Sequence, residues 1–333
     1  MPVLSLSKRL RDPYFYLADF DFEAEMMVFA EARPLHFARS LRLTAADFPF
    51  RALRWLSFDR VYEELNWAPE PPSINYLFHL PFSGSTLLTR YLEPAAFMVR
   101  DPVSLHALFL KDSNSTPFPR SIRRLRRATL TLLNRPLHGR PTIVRTGGYY
   151  PEIATHLAAS PTFRSALFLY VAPEEYLAQV LKSTERRQHA RTLSGRRRAY
   201  MAAKCGPRLS ALADGTVAAL SWVFTVEKIL VLSTLPGRVR TLDCARLFAD
   251  RENTLAAVCT AFGLESDALS PAHVREIESS HAKYGERFGA VQRAAVIRQA
   301  AASHRTEIAA GLEVLRRIDP GNELQAALRR LAV

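Results

Sequence analysis

Cysteine is scarce in this chain. There are three in 333 residues, Cys205, Cys244 and Cys259, and they form neither a CxxC pair nor a Cys/His ligand spacing. A disulfide framework and a structural zinc site are therefore not expected, and a reducing compartment is the default. Long apolar runs are missing as well. None approaches the roughly 18 residues of a membrane-spanning helix. The opening residues MPVLSLSKRLRDPYF contain no continuous apolar stretch of the secretory kind. By elimination, the expectation is a cytoplasmic protein with no membrane span. Internal repeats and long low-complexity tracts are also absent.

Negative charge is in deficit. Lys and Arg total 45 against 32 Asp and Glu, a formal net charge of +13. Most of the cations are arginine, whose planar fork pairs with phosphate and sulfate oxygens and stays charged at any working pH. Such a surface favours nucleotides, nucleic acid or acidic membranes. A general solubility or compositional effect accounts for the same charge equally well.

What remains is ordinary globular material. Hydrophobic residues make up 48% and charged residues 23%, enough to bury a core in one large domain or two modest ones. The three prolines of PEPPS (69–73) break the chain, and the main domain is expected to begin there. Residues 1–72 read as a mixed extension, with the stripe around Met26–Ala32 suited to a helix. After the break, short apolar strands alternate with helices. INYLFHL, FMVRD, PTIVRT, SALFLYV and RVRTLD are the strands. TLLTRYL, SIRRLRRATLTLLN, EIATHLAAS, EEYLAQVLKSTERRQ and ENTLAAVCTAFGLE are helices, the last stopped by Gly263. This alternation predicts an α/β fold: a three-layer sandwich around a central parallel sheet. The expected organisation is an extension over 1–72, an α/β domain over 73–290 and a helical tail over 291–333.

The segment His79-Leu-Pro-Phe-Ser-Gly-Ser-Thr86 lies where the first of these strands gives way to a helix. The first amides of a helix have no internal partner and sit at the positive end of its dipole, so an anion fits there. Gly84 permits close backbone approach, and Ser83, Ser85 and Thr86 offer hydroxyls. The loop is not a Walker A sequence, because Ser85 stands where GxxxxGK[ST] needs lysine. A metal-assisted NTPase is disfavoured, and no ligand cluster suggests a metal. A plain helix cap built of Ser and Gly is the alternative reading.

FHLPFSGSTLLTRYL resembles the loop of the sulfotransferases that holds the phosphosulfate end of 3'-phosphoadenosine-5'-phosphosulfate (PAPS). Pro81, Ser83, Gly84, Ser85 and Thr86 match its pattern, while Phe82 stands where the family carries a basic residue. Val99-Arg-Asp-Pro102 is similar to the family's basic–acidic pair, in which the acid is the general base. Ile143-Val-Arg145 is similar to its strand ending in a basic residue near the phosphates. RVRTLDCARLFADRENTLAAVCTAFGLE resembles its closing strand, turn and helix. SHAKYGERFG is like its lysine-bearing cofactor cover. The resemblance spans about residues 74–290 and implies a P-loop NTPase/sulfotransferase-like fold.

It also implies transfer of a sulfuryl group from PAPS to a hydroxyl or amine acceptor. Asp101 is then the base, with His106 second. Pro81, Phe82, Ser83, Gly84, Ser85, Thr86, Arg145, Lys182 and Lys283 are the cofactor contacts. At the family's 3'-phosphate positions this chain has Val171 and Gln179. Lys182, Arg186 or Arg187 can reach that place from the following turns, or can simply be a solvated helix end. A repurposed member of the fold, binding a phosphorylated ligand without transfer, is the alternative.

Two basic runs stand outside this scheme. Arg120–Arg127 lies on a helix. Glu185–Tyr200 is expected to break at Gly195 and to serve as a lid over 185–205. Nucleic acid, an acidic acceptor and a solvated basic face all suit them, although neither interleaves the aromatics that stack on bases.

Overall fold

The computed structural model describes residues 5–40, 43, 48, 52–65, 73–110, 122–147, 151, 153–206, 211–235, 238–278 and 290–333. The fold is α/β. Eight strands are present among these residues: β1 Phe15–Asp21, β2 Met26–Glu31, β3 Leu53–Ser57, β4 Ile74–His79, β5 Phe97–Arg100, β6 Thr142–Thr146, β7 Phe163–Tyr170 and β8 Val239–Asp243. The first three form one sheet in chain order, and the other five form a second sheet in the order β5-β6-β4-β7-β8.

The second sheet is the expected one. β5 pairs with β6, and β7 with β8, both in parallel. β4 runs alongside β7 in the same sense. The Ile74 amide donates to the Thr162 carbonyl at 2.6 Å, and the Leu80 amide donates to the Leu169 carbonyl at 3.0 Å. Every residue of β5 and β6 is buried, as is all of β4 but its last residue. Strands without a polar side are the mark of a sheet covered on both faces. Strand addition reverses direction at β4, and in open sheets of this kind ligands gather at the carboxyl ends of the strands beside that switch.

The chain divides into two compact units. Unit 1 is residues 1–77, 92–146 and 156–165, and unit 2 is residues 78–91, 147–155 and 166–333.

Unit 1 holds the meander β1–β2–β3, whose neighbours pair antiparallel. Met26–Ala32, expected as a helix, is strand β2 instead. Met, Ala and Glu favour helix locally, but β2 is flanked on both sides by pairing partners, and four of its six residues are buried. Tertiary pairing overrides a weak propensity. Its aromatics stack inward: Phe15 lies flat on Phe29 with centroids 4.6 Å apart, and Phe37 meets Phe97 of β5 at 5.0 Å.

Arg135, just past the helix Ile122–Leu133, staples the segment before β1. Its Nε donates to the Leu132 carbonyl, Nη1 to the carbonyls of Leu10 and Asp12, and Nη2 to that of Phe15, at 2.7 to 2.9 Å. Burial draws this guanidinium down to about 10, partly offset by Asp12.

Unit 2 is built around the helix Asp214–Leu230, which is buried along most of its length. Together with the turn to Thr234 it is long and apolar enough to cross a membrane by length and composition, but most of it lies inside the fold. It packs on Pro173–Leu181, Thr184–Arg196 and Arg305–Ile318. The approach to the last helix is backbone to backbone. A Cβ on Gly215 would stand 2.0 Å from the Glu307 carbonyl oxygen, and one on Gly311 would stand 2.6 Å from the Gly215 oxygen.

The C-terminal residues join the same unit. Ala332 bridges Thr241 of β8 in parallel, the Thr241 amide donates to the Leu331 carbonyl, and the Val333 amide donates to the Thr241 carbonyl, both at 3.0 Å.

Candidate anion-binding loop and acid–base pair

The loop forms as a consequence of its neighbours. β4 ends at His79, and the helix Ser85–Leu92 begins six residues later. Between them the backbone takes positive φ at Phe82 (66°) and Gly84 (85°). Glycine tolerates this freely, whereas a bulky aromatic does so only when its surroundings impose it. The turn is closed from inside. The buried Ser83 hydroxyl donates to the Leu80 carbonyl at 2.8 Å, and the Ser83 amide donates to the same oxygen at 3.3 Å. Pro81 and Ser85 are buried, while Thr86 is half-buried. The Leu87 and Leu88 amides donate to the Gly84 carbonyl, at 2.9 and 3.1 Å. The helix therefore starts on Gly84, with its leading amides at the loop.

Gly84 has a second reason to be glycine. A Cβ there would lie 3.1 Å from the Cys244 sulfur. Arg293 Nη2 reaches the same sulfur at 3.6 Å. That guanidinium also pairs with Glu175 and lies 4.7 Å from the centroid of the Phe248 ring. Burial takes it down to about 10. Burial also pushes the Cys244 thiol far up, with Asp243 adding to the effect, so this sulfur is a packing atom rather than a nucleophile.

Phe82 in turn meets two side chains of a following helix. The Arg186 guanidinium carbon sits 4.3 Å from the Phe82 ring centroid, and the His189 ring meets the Phe82 ring edge-on at 6.0 Å. Arg186 Nη1 donates to the Gln179 backbone carbonyl at 3.0 Å and to its side-chain oxygen at 2.5 Å. Lys182 closes the helix Pro173–Leu181. Burial, then the Arg186 charge, hold its ammonium below the usual lysine range. Val171 is buried, and its carbonyl accepts the Trp222 indole N–H at 3.0 Å.

Thr184–Arg196 is one helix that runs through Gly195, so the loop expected at that glycine does not form. Two of its arginines, Arg187 and Arg191, reach acids and carbonyls of other segments. Arg187 reaches the Leu181 carbonyl, Asp214, Glu307 and His304. Arg191 binds Asp214 at 2.6 Å. Arg197 is buried against Thr225 and Phe224. These anchors, along the helix and just past its end, tie the segment down.

In unit 1 two other candidates meet. Asp101, at positive φ (45°), accepts from Arg145 Nη2 at 2.8 Å and from Nε at 3.3 Å, and its amide donates to the Arg145 carbonyl at 2.8 Å. The pair is two-pronged and nearly buried, with side-chain exposures of 14% and 3%. The preceding Arg100 is turned to Glu93 and the Ser40 carbonyl. His106 is half-buried on the helix Val103–Leu110, and its amide donates to the Pro102 carbonyl at 3.4 Å. Lys283 and its segment lie outside the described residues.

Among the described residues no group of three or more His, Cys, Asp or Glu side chains could hold a metal ion. Sequence reasoning passed over Cys244, Arg293 and Glu175, which nothing local marks. It placed Arg186 only as an alternative to Lys182 and Arg187. The usable signal was spacing, since Arg186 and His189 stand three residues apart, as neighbours on one helix face do.

No protein-family model and no curated protein matches the chain. Among solved structures it is similar to the sulfotransferase domain from the curacin biosynthetic pathway, at 15% identity and a TM-score of 0.40, over 68% of this chain and 83% of that one. A likeness of that size bears on neither activity nor substrate.

Proposed function

We propose that the chain takes PAPS at the 80–86 loop and transfers its sulfuryl group to a hydroxyl or amine acceptor. The loop backbone carries the reading: positive φ at Phe82 and Gly84 directly ahead of the helix that opens at Ser85. Turns of this kind aim successive amides into one concavity suited to an anion. The loop's own donors are neutral amides and hydroxyls, which suit a phosphosulfate, and Lys182 is the proposed ammonium contact. The Pro81–Thr86 pattern supplies the narrowing from anion to PAPS, through its resemblance to the sulfotransferase loop. Bound PAPS supplies the activated sulfuryl group. The chain's own part is to hold the phosphosulfate oxygens with the loop amides and the Thr86 hydroxyl.

Asp101 is the proposed base, with His106 as second choice and Arg145 as the residue that orients it. An ionised carboxylate has about four lone-pair sites. Arg145 takes two, and the remainder can accept an acceptor's proton.

A second reading has its own support. Val171 and Gln179 stand at the family's 3'-phosphate positions, and both are engaged within the fold, with Trp222 and Arg186 respectively. On that reading the anion site persists without sulfuryl transfer.

Thermal unfolding with 3'-phosphoadenosine-5'-phosphate (PAP), ATP and GTP side by side tests the proposal. A ligand at 100 times its Kd adds about 2.7 kcal/mol to stability, and PAP is expected to give the largest shift. No shift at millimolar PAP refutes PAPS binding. A PAP shift without turnover of PAPS on a panel of hydroxyl and amine acceptors favours the second reading. Full transfer by Asp101→Asn removes Asp101 from the base role.

A further inference from the structure

We infer that Arg186 supplies the 80–86 loop with its positive charge, delivered across the Phe82 ring from a neighbouring helix instead of from within the loop. The inference rests on the anion-site reading of that loop and names its charge-bearing residue. The ligand class is a phosphate or sulfate ester.

Three observations converge. Phe82 is held at positive φ, a costly conformation for an aromatic residue. Its ring meets the Arg186 guanidinium, 4.3 Å from the centroid, and the His189 ring edge-on at 6.0 Å. A strained aromatic that forms a platform for a guanidinium places that cation at the loop as firmly as a basic side chain at position 82 would. Gln179 then fixes the fork. It accepts twice from Nη1, through its backbone and side-chain oxygens, and being neutral it orients the charge without cancelling it. Lastly, Lys182 stands close enough to Arg186 for the two to repel, and burial adds to the cost of the Lys182 charge. An anion placed between such cations relieves that repulsion. Arginine suits the position because it stacks on an aromatic face and grips tetrahedral oxyanions with a fork, neither of which lysine does as well.

Calorimetric titration of PAP and of inorganic pyrophosphate into the full chain tests this. Arg186→Met is expected to weaken both by about 10- to 100-fold, the range for losing a charge-assisted bond. Adding Phe82→Lys to that variant returns the charge to the loop itself and is expected to restore most of the affinity. A purely structural role for Arg186 predicts no such rescue, so an unrescued loss overturns the inference, as does wild-type affinity in Arg186→Met. Arg186→Lys covers the case in which methionine prevents folding. It is expected to bind several-fold more weakly than wild type, and equal binding overturns the stacked-fork argument. Wild-type binding of pyrophosphate but not PAP defeats the PAPS reading and leaves the Arg186 comparison to be made with pyrophosphate. Wild-type binding of neither anion overturns both.

Discussion

Gly84→Ala probes the loop most directly. Two separate costs meet at this residue. Its φ of 85° is a conformation that an L side chain rarely adopts, at roughly 1–2 kcal/mol for alanine. The new Cβ also meets the Cys244 sulfur at 3.1 Å. The sulfur must give by a few tenths of an ångström, with Arg293 Nη2 at 3.6 Å from it. Overpacking of this sort costs about 1 kcal/mol at its lower end. Together they predict a loss of about 2–3 kcal/mol in urea unfolding, with the m-value unchanged. The parts are separable. Cys244→Ala removes the clash and leaves the φ penalty, at a cost of its own near 1 kcal/mol for an emptied buried position. The double variant is therefore expected to be about 1 kcal/mol more stable than the sum of the singles. PAP binding should fall in Gly84→Ala and recover only in part in the double, because the strained backbone remains. Unchanged stability in Gly84→Ala, or strictly additive costs, would refute the account of why glycine is needed here.

Three further outcomes follow from the same structure. Arg135→Ala should destabilise by at least about 3 kcal/mol, because four carbonyls lose a charged donor at once and each such bond is worth roughly 1.5–3 kcal/mol. Denaturant unfolding measures it, and Arg135→Lys should lose less. Gly215→Ala should cost at least 2 kcal/mol, roughly the middle of the overpacking range, since its Cβ would stand 2.0 Å from a backbone oxygen that has no rotamer to yield. Tyr176 gives an alkaline signature. Burial pushes its phenol up to about 12, against a small opposing effect of Arg197. The folded state thus holds the proton longer than the unfolded one, so this contribution is intact below pH 10 and is lost as pH rises from about 10 to about 12. Tyr176→Phe should flatten the fall in stability across that window by at most about 3 kcal/mol, and an unaltered slope defeats the assignment.

The parts of the fold that the sequence showed were those with strong local causes. β4, β7 and β8 are apolar runs between turn residues, and Gly263 ends its helix in the left-handed conformation as expected. Where local preference was weak, the reading failed. Met26–Ala32 has helix-forming residues but is a strand, because β1 and β3 pair with it. Gly195 costs a helix only about 1 kcal/mol relative to alanine, and helix Thr184–Arg196 runs through it. The arginine anchors of this helix, and Arg197 just past its end, reach residues well over a helical turn away in sequence.

The candidate site divides in the same way. The strand–turn–helix at Pro81–Thr86 was legible because it is written in consecutive residues. Its surroundings were not. That Arg186 faces the loop while Arg187 and Arg191 turn to Asp214 depends on where two helices lie. That Cys244 backs Gly84 depends on where the segment after β8 passes. That Asp101 and Arg145 hold each other depends on β5 lying beside β6.

The sequence by itself determined the strand–turn–helix unit, the alternation that makes an α/β sheet, and the excess of arginine. Each arises from contacts within a few residues or from composition. Only the tertiary structure decided which arginine lies against the loop, why position 84 excludes a side chain, and which carboxylate is paired. Those are matters of distance between segments far apart in the chain, and the sum of buried contacts sets them, not any local preference.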